Sequence, residues 1–122
     1  MDSAEATLDR FTSAFNALDL DAMCACLADD ISLFAPQRSG HGLVEGLDEV
    51  RAHFAGVLQA EAPSGPAIRP TNIRIRQHGT NGAIVTFEFD RGGGSIGRRT
   101  LVLRQGPDDW LIAHIHASNT EA

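Results

Sequence analysis

Leu8, Phe11, Phe15 and Leu18 recur at intervals of three and four residues, the spacing that puts side chains on one stripe of an α-helix. Asp2 or Ser3 is placed to cap its start, and the helix is expected to end near Leu18. Asp19 then caps a shorter helix whose stripe is Leu20, Met23, Cys24 and Leu27, closed by the acidic pair Asp29 and Asp30. Residues 31–34 predict a short strand stopped by Pro36, and 37–42 a polar, glycine-containing loop. A third helix starts after Gly46, with Asp48 and Glu49 in its first turn, where carboxylates favour the positive end of the dipole. Its stripe is Leu47, Val50, Phe54, Val57 and Leu58.

Ala62, Pro63, Ser64, Gly65 and Pro66 break that helix, and the hydrophobic period beyond them falls to two. Residues 68–77, 83–91, 97–105 and 110–118 alternate polar and apolar side chains and are divided by three glycine-rich turns at 78–82, 92–95 and 106–109. Short links between successive strands imply antiparallel pairing. Helices at one end of the chain and strands at the other predict an α+β domain, with helices covering one face of a curved antiparallel sheet. A chain of 122 residues is long enough for one such domain with a real core, and residues 1–122 are read as a single domain.

Composition narrows the function classes. The chain is 43% hydrophobic and 21% charged, with no apolar run long enough to cross a bilayer and no basic-then-apolar leader at residues 1–15, which reads as a soluble cytoplasmic protein. A net charge of −6 argues against nucleic acid or an anionic membrane as partner, because both need a basic footprint. The ten basic residues are all arginine, from which nothing functional is drawn. Cys24 and Cys26 sit two apart in a helix and are turned about 200° from each other, so they form neither a good disulfide nor a metal-binding pair. They read as small buried hydrophobes in a reducing compartment.

Gly42-Leu43-Val44-Glu45-Gly46-Leu47-Asp48, followed by Arg51 and Phe54, resembles the loop-helix segment of the association domain of calcium/calmodulin-dependent protein kinase II. Ala17-Leu18-Asp19-Leu20-Asp21-Ala22 resembles that family's first helix junction, and Trp110 with His114, His116 and Ser118 resembles its terminal strand. The order of elements agrees over nearly the whole chain. The resemblance implies the cone-like fold of the nuclear transport factor 2 (NTF2), ketosteroid isomerase and SnoaL-like superfamily: three N-terminal helices on a strongly curved antiparallel sheet around a deep pocket, usually assembled through the sheets as dimers or larger rings. With no kinase domain present, it implies neither kinase activity nor calmodulin binding. The association domain carries arginines on the pocket side of its sheet; the matching positions here are Phe89, Leu101 and Ala117, so the pocket is expected to be apolar. Ketosteroid isomerases use a tyrosine and a protonated aspartate as oxyanion donors, and this chain has no Tyr, so their mechanism does not carry over.

With Leu101 and Ala117 facing the pocket, strand alternation places Leu111, Ala113 and Ile115 there too. Trp110, Ile112, His114, His116 and Ser118 then point outward, where another subunit would pack, unless a β-bulge swaps the faces. The expected pocket lining is Phe15, Phe34, Phe54, Leu58, Phe89, Leu101, Ala113, Ile115 and Ala117, and the expected interface is Trp110, Ile112, His114 and His116. His114 and His116 read as interface or sheet-pairing residues; the alternatives are a general acid-base pair or two ligands of a metal, for which no spaced cluster supplies a third.

His53 borders the third helix's stripe as a pocket-rim or core histidine, with an acid-base role as its alternative. Glu45 favours the helix dipole or orients a neighbouring His or Arg. Asp29, Asp30 and His41 lie near loops, where a buried carboxyl would have a raised pKa and act as a base; the plainer reading is exposed helix-end residues. Glu88 and Asp90 are expected on the outer face with Arg98 or Arg104 as cross-strand neighbours, and Gly92 to Gly94 form a hairpin turn rather than a phosphate loop. Two functions remain open. One is a homo-oligomeric module whose apolar pocket holds a small hydrophobic ligand, with no cofactor or metal. The other is a small isomerase, lyase or hydrolase that moves a proton with a pocket His or Asp.

Overall fold

Ser3 opens the first helix in the computed structural model, which describes residues 3–35, 42–62 and 68–120. Its Oγ accepts a hydrogen bond from the Ala6 N–H at 3.1 Å and so caps α1 (Ala4–Asn16). The helix closes through Leu18, which takes a positive φ of 58° while its N–H donates to the Phe15 carbonyl and the Asp19 N–H to that of Ala14. This pair of bonds satisfies carbonyls that the last turn would otherwise leave unmatched. Leu18 is therefore the stop signal and not part of the buried stripe. Asp19 caps α2 (Leu20–Ala25) by accepting from the Ala22 N–H at 3.0 Å.

The second helix is shorter than its stripe predicts. Leu27, Asp29 and Asp30 belong to β1 (Leu27–Phe34). The Ile112 N–H donates to the Cys26 carbonyl at 2.8 Å and Leu27 pairs with Ile112, so the sheet claims backbone that helical periodicity had assigned to α2. A short strand that the alternation did not predict, β2 (Leu43–Glu45), pairs antiparallel with β1. Gly46, at a φ of 90°, then turns the chain into α3 (Leu47–Glu61), which has Asp48 and Glu49 in its first turn and no side-chain cap. Pro36, His41 and the break predicted around Pro63 to Pro66 lie outside the described residues.

The later strands are β3 (Thr71–His78), β4 (Gly82–Gly92), β5 (Ser95–Gln105) and β6 (Trp110–Asn119). They form one six-stranded sheet in the order β2-β1-β6-β5-β4-β3. The expectation of a wholly antiparallel sheet is corrected at one place, because β1 and β6 run parallel. Parallel neighbours need a long crossover rather than a hairpin, and here α3 and the β3–β5 meander intervene between them.

Val85, Phe87 and Phe89 of β4, Leu101 and Leu103 of β5, and Trp110, Ile112 and Ile115 of β6 share one buried cluster with Leu8, Phe11 and Phe15 of α1 and Val50, Phe54 and Leu58 of α3. The fully buried Thr7 ties α1 to β6 by donating its hydroxyl to the Trp110 carbonyl at 2.9 Å. The Asn16 amide clamps the approach to β3, donating to the Ile68 carbonyl at 3.0 Å and accepting from its N–H at 2.7 Å.

A β-bulge decides the faces of β6. Leu103 pairs with Ile112 but Val102 pairs with His114, so Ala113 is the extra residue. Trp110 and Ile112 therefore face the core on one side of the bulge, and Ile115 and Ala117 face it on the other. The expected interface placement of Trp110 and Ile112 is overturned: they are 6% and 0% exposed within their own subunit. His114 and His116 do lie on the outer face, paired with the exposed Val102 and with Thr100. No helix among the described residues is long and apolar enough to cross a membrane.

Candidate functional site

Aromatic and aliphatic side chains from both layers enclose a cavity of about 660 Å³. From α1 come Phe11, Thr12 and Phe15; from α3 come His53, Phe54, Val57 and Glu61. The sheet supplies Leu33 of β1, Phe87 and Phe89 of β4, Leu101 of β5, and Ile115 and Ala117 of β6. Of the residues expected to line it, Phe15, Phe54, Phe89, Leu101, Ile115 and Ala117 do so.

Three others are elsewhere. Phe34 is 37% exposed on the outer face, since its neighbour Leu33 takes the inward position opposite Ile115. Its ring lies 5.8 Å from that of His114 and 5.4 Å from that of His116. Leu58 is buried in the core, turned about 100° along the helix from Val57, which lines the cavity. Ala113 is the bulge residue and does not line the cavity.

The cavity is not wholly apolar, contrary to expectation. Arg99 lines it, together with Asp90, Arg91 and Gly92 near the end of the β4–β5 hairpin and Asn119 at the end of β6. Arg99 lies two residues before Leu101 and so shares its face, a signal present in the strand alternation once Leu101 is placed inward. The Arg99 guanidinium stands 4.8 Å above the Phe89 ring. Its Nη1 donates to the carbonyls of Arg98 and Ser118, each at 3.0 Å, and to Asn119 Oδ1 at 3.2 Å. Burial first, and the charge of Arg91 second, push its pKa down to about 10, which leaves it protonated at neutral pH.

Phe89 reaches this position because its cross-strand partner is Gly97, where a β-carbon would sit 2.5 Å from two ring atoms. At the turn, Gly92, Gly93 and Gly94 all have positive φ, and Asp90 accepts from the Gly92 N–H at 2.8 Å. The hairpin reading of this glycine run agrees with that geometry. Asp90 pairs in register with Ile96, next to the inward-facing Phe89, and is exposed where the strand meets the cavity mouth.

His53 is the one histidine that reaches the cavity among those described. It is partly buried beside Phe54, with ring centroids 5.7 Å apart, and desolvation holds its pKa below the ordinary value of 6.5. The neutral imidazole thus predominates at pH 7 and has a lone pair available for a proton. Because the folded pKa is depressed, the unfolded chain binds the proton more readily; stability carried by this group is present above about pH 6.5 and declines as the pH falls through that value. An NMR titration of the His53 ring is expected to give a midpoint below 6.5, and a midpoint at or above it would refute the desolvated placement.

The remaining candidates separate from the cavity. His114 Nδ1 is 2.7 Å from Ser32 Oγ on the outer face, and His116 is exposed beside Phe34. Among the described residues no group of three His, Cys, Asp or Glu is gathered as a metal site. Asp30 is exposed in β1 rather than at a helix end, and Arg104 grips both its oxygens, at 2.7 and 3.1 Å. That hydrogen-bonded pair lowers the Asp30 pKa, the reverse of a base activated by burial. Glu88 pairs across the sheet with Arg98 and accepts from Asn72 Nδ2 at 2.7 Å. Glu45 is exposed on β2.

No curated protein matches the chain. Among solved structures, a Streptomyces avermitilis protein provisionally described as a dehydratase of the NTF2-like family superposes with a TM-score of 0.81 at 21% identity, over 97% of this chain and 94% of that one. A Thiobacillus denitrificans protein provisionally described as a calcium/calmodulin-dependent protein kinase type II association domain gives 0.74 at 23%, over 99% and 98%. A Shewanella frigidimarina protein provisionally described as a ketosteroid isomerase gives 0.75 at 25%, over 96% of both. These likenesses establish the α+β NTF2-like fold, and the association-domain resemblance read from the sequence is found again among them. The profile of the SnoaL-like domain family matches residues 4–121, nearly the full length, and the chain belongs to that family.

Proposed function

We propose that the protein is a homo-oligomeric small-molecule-binding module whose ligand occupies the cavity between the helices and the sheet. The observation that carries this reading is the cavity itself, about 660 Å³ walled by Phe11, Phe15, Phe54, Phe87, Leu101 and Ile115, a size and character suited to a small apolar ligand. The neutral aromatic 2-naphthamide and its anionic counterpart 2-naphthoate are suitable probes. Titration of the ¹⁵N-labelled protein with each is expected to shift the amides of Phe54, Leu101 and Ile115; the reading fails when neither probe moves them at millimolar concentration.

Assembly through the outer sheet face is part of the same proposal. Strand register lines up Leu43, Phe34, His116, Thr100 and Thr86 in one row and Ser32, His114, Val102 and Ile84 in the next. Phe34, Leu43 and Val102 leave 37%, 36% and 37% of their surface exposed, an apolar patch that a second copy would cover. Light scattering at micromolar concentration is expected to give a multiple of the 13.0 kDa chain mass, and a wholly monomeric protein would sink this part. His116→Ala is expected to weaken assembly while leaving the naphthamide shifts in place.

A second reading is favoured by His53 alone. A neutral imidazole on the cavity wall is placed to take a proton from a bound substrate, as a small isomerase or lyase requires. It is preferred over the binding module when a turnover is found that His53→Ala abolishes without changing ligand affinity.

A further inference from the structure

From the unmatched charge of Arg99, we infer that the cavity selects an organic anion, an apolar body ending in a carboxylate whose oxygens bind the free edge of this guanidinium. The inference rests on the cavity being a ligand site and adds the chemical class of its occupant.

A guanidinium withdrawn from water needs compensation, because desolvating a charge costs far more than desolvating a neutral polar group. The acceptors that hold Arg99 are all neutral: two carbonyl oxygens and Asn119 Oδ1, each bonded to the same nitrogen, Nη1. They fix the group's orientation without balancing its charge. Nε and Nη2 make no hydrogen bond to a described residue, and Arg99 forms no ion pair with a described carboxylate. That open edge carries two nearly parallel N–H donors, the pattern that a carboxylate matches with both its oxygens. One ring, Phe89, supports the guanidinium at 4.8 Å, so the open edge is presented in a set direction.

The surroundings reinforce the sign of the preference. Arg91 stands close enough to depress the Arg99 pKa and adds a second positive charge at the same end of the cavity, while its Nη1 is held by Ser95 Oγ at 2.9 Å. Two acidic residues also border the cavity. Asp90 is exposed and bonded to the Gly92 N–H of the turn, and Glu61 is exposed on α3. Arg99 is the most enclosed charge of the four. The opposite wall is aromatic, with Phe11, Phe15 and Phe54 ready to take the apolar body. None of this charge stands at Phe89, Leu101 or Ala117, the positions where the association-domain resemblance would put arginines.

The test compares 2-naphthoate with 2-naphthamide, which match in shape and differ in charge, by calorimetry on the full chain. A charge-assisted bidentate pair predicts that naphthoate binds about tenfold to a hundredfold more tightly. Arg99→Gln is expected to remove that preference while naphthamide affinity stays within about twofold, which also shows that the variant has folded. Arg91→Gln, at an exposed site, is expected to reduce the preference only partly. Equal affinity of the two probes for the wild-type protein overturns the inference and leaves the cavity reading standing. A preference that survives Arg99→Gln also overturns it, and failure of both probes to bind removes both readings together.

Discussion

Replacing Trp110 by Ala is expected to lower the folding stability of the subunit by about 3–5 kcal/mol, the usual loss for truncating a large buried aromatic. Trp110 is 6% exposed and belongs to the central cluster, and its carbonyl receives the Thr7 hydroxyl that joins α1 to β6. The Thr7 bond survives the substitution because it uses the backbone, so the loss comes from the cavity left by the indole. Urea unfolding at two protein concentrations separates this from a contribution through assembly. A core role predicts the same large fall in midpoint at both concentrations. An unchanged subunit stability with loss of oligomers alone would instead return Trp110 to the interface.

Substituting Gly97 by Ala is expected to damage both stability and anion binding. The added β-carbon would meet Cε1 and Cζ of Phe89 at 2.5 Å, far inside contact distance, so the ring must leave its place on β5. Overpacking of this kind costs about 1–3 kcal/mol. Gly97 does not have a positive φ, so the penalty is steric rather than conformational. Displacing the ring also withdraws the surface on which Arg99 rests, and naphthoate affinity is expected to fall by about tenfold with the lost bidentate contact. Removing the ring tests the cause: in a Phe89→Leu background Gly97→Ala is expected to cost much less, giving a coupling above about 0.5 kcal/mol. Additive effects would show that Gly97 and Phe89 act independently.

Much of the molecule was legible along the chain because local physics governs it. Ser3 and Asp19 cap helices by bonding to amides only three residues away, and the apolar stripes of α1 and α3 follow from helical pitch. Glycines at the β4–β5 turn are required by their positive φ, which few other residues adopt. The boundary of α2 was not legible, since Leu27 suits a helical stripe and a buried strand equally well; only pairing with Ile112 chose between them.

The site divides along the same line. Phe15 and Phe54 lie on the helical stripes, the association-domain resemblance placed Leu101 and Ala117 on the cavity, and alternation from Leu101 also contained the position of Arg99. What periodicity does not carry is a change of register. The single extra residue at Ala113 turns Trp110 and Ile112 inward while leaving His114 and His116 outside. By itself the sequence determined the helices, the turns and the alternating strands, because caps, stripes and glycine conformations act over a few residues. Tertiary structure alone decided the parallel union of β1 with β6, the faces on either side of the bulge and the enclosure of Arg99, because each depends on hydrogen bonds or burial between residues distant in the chain.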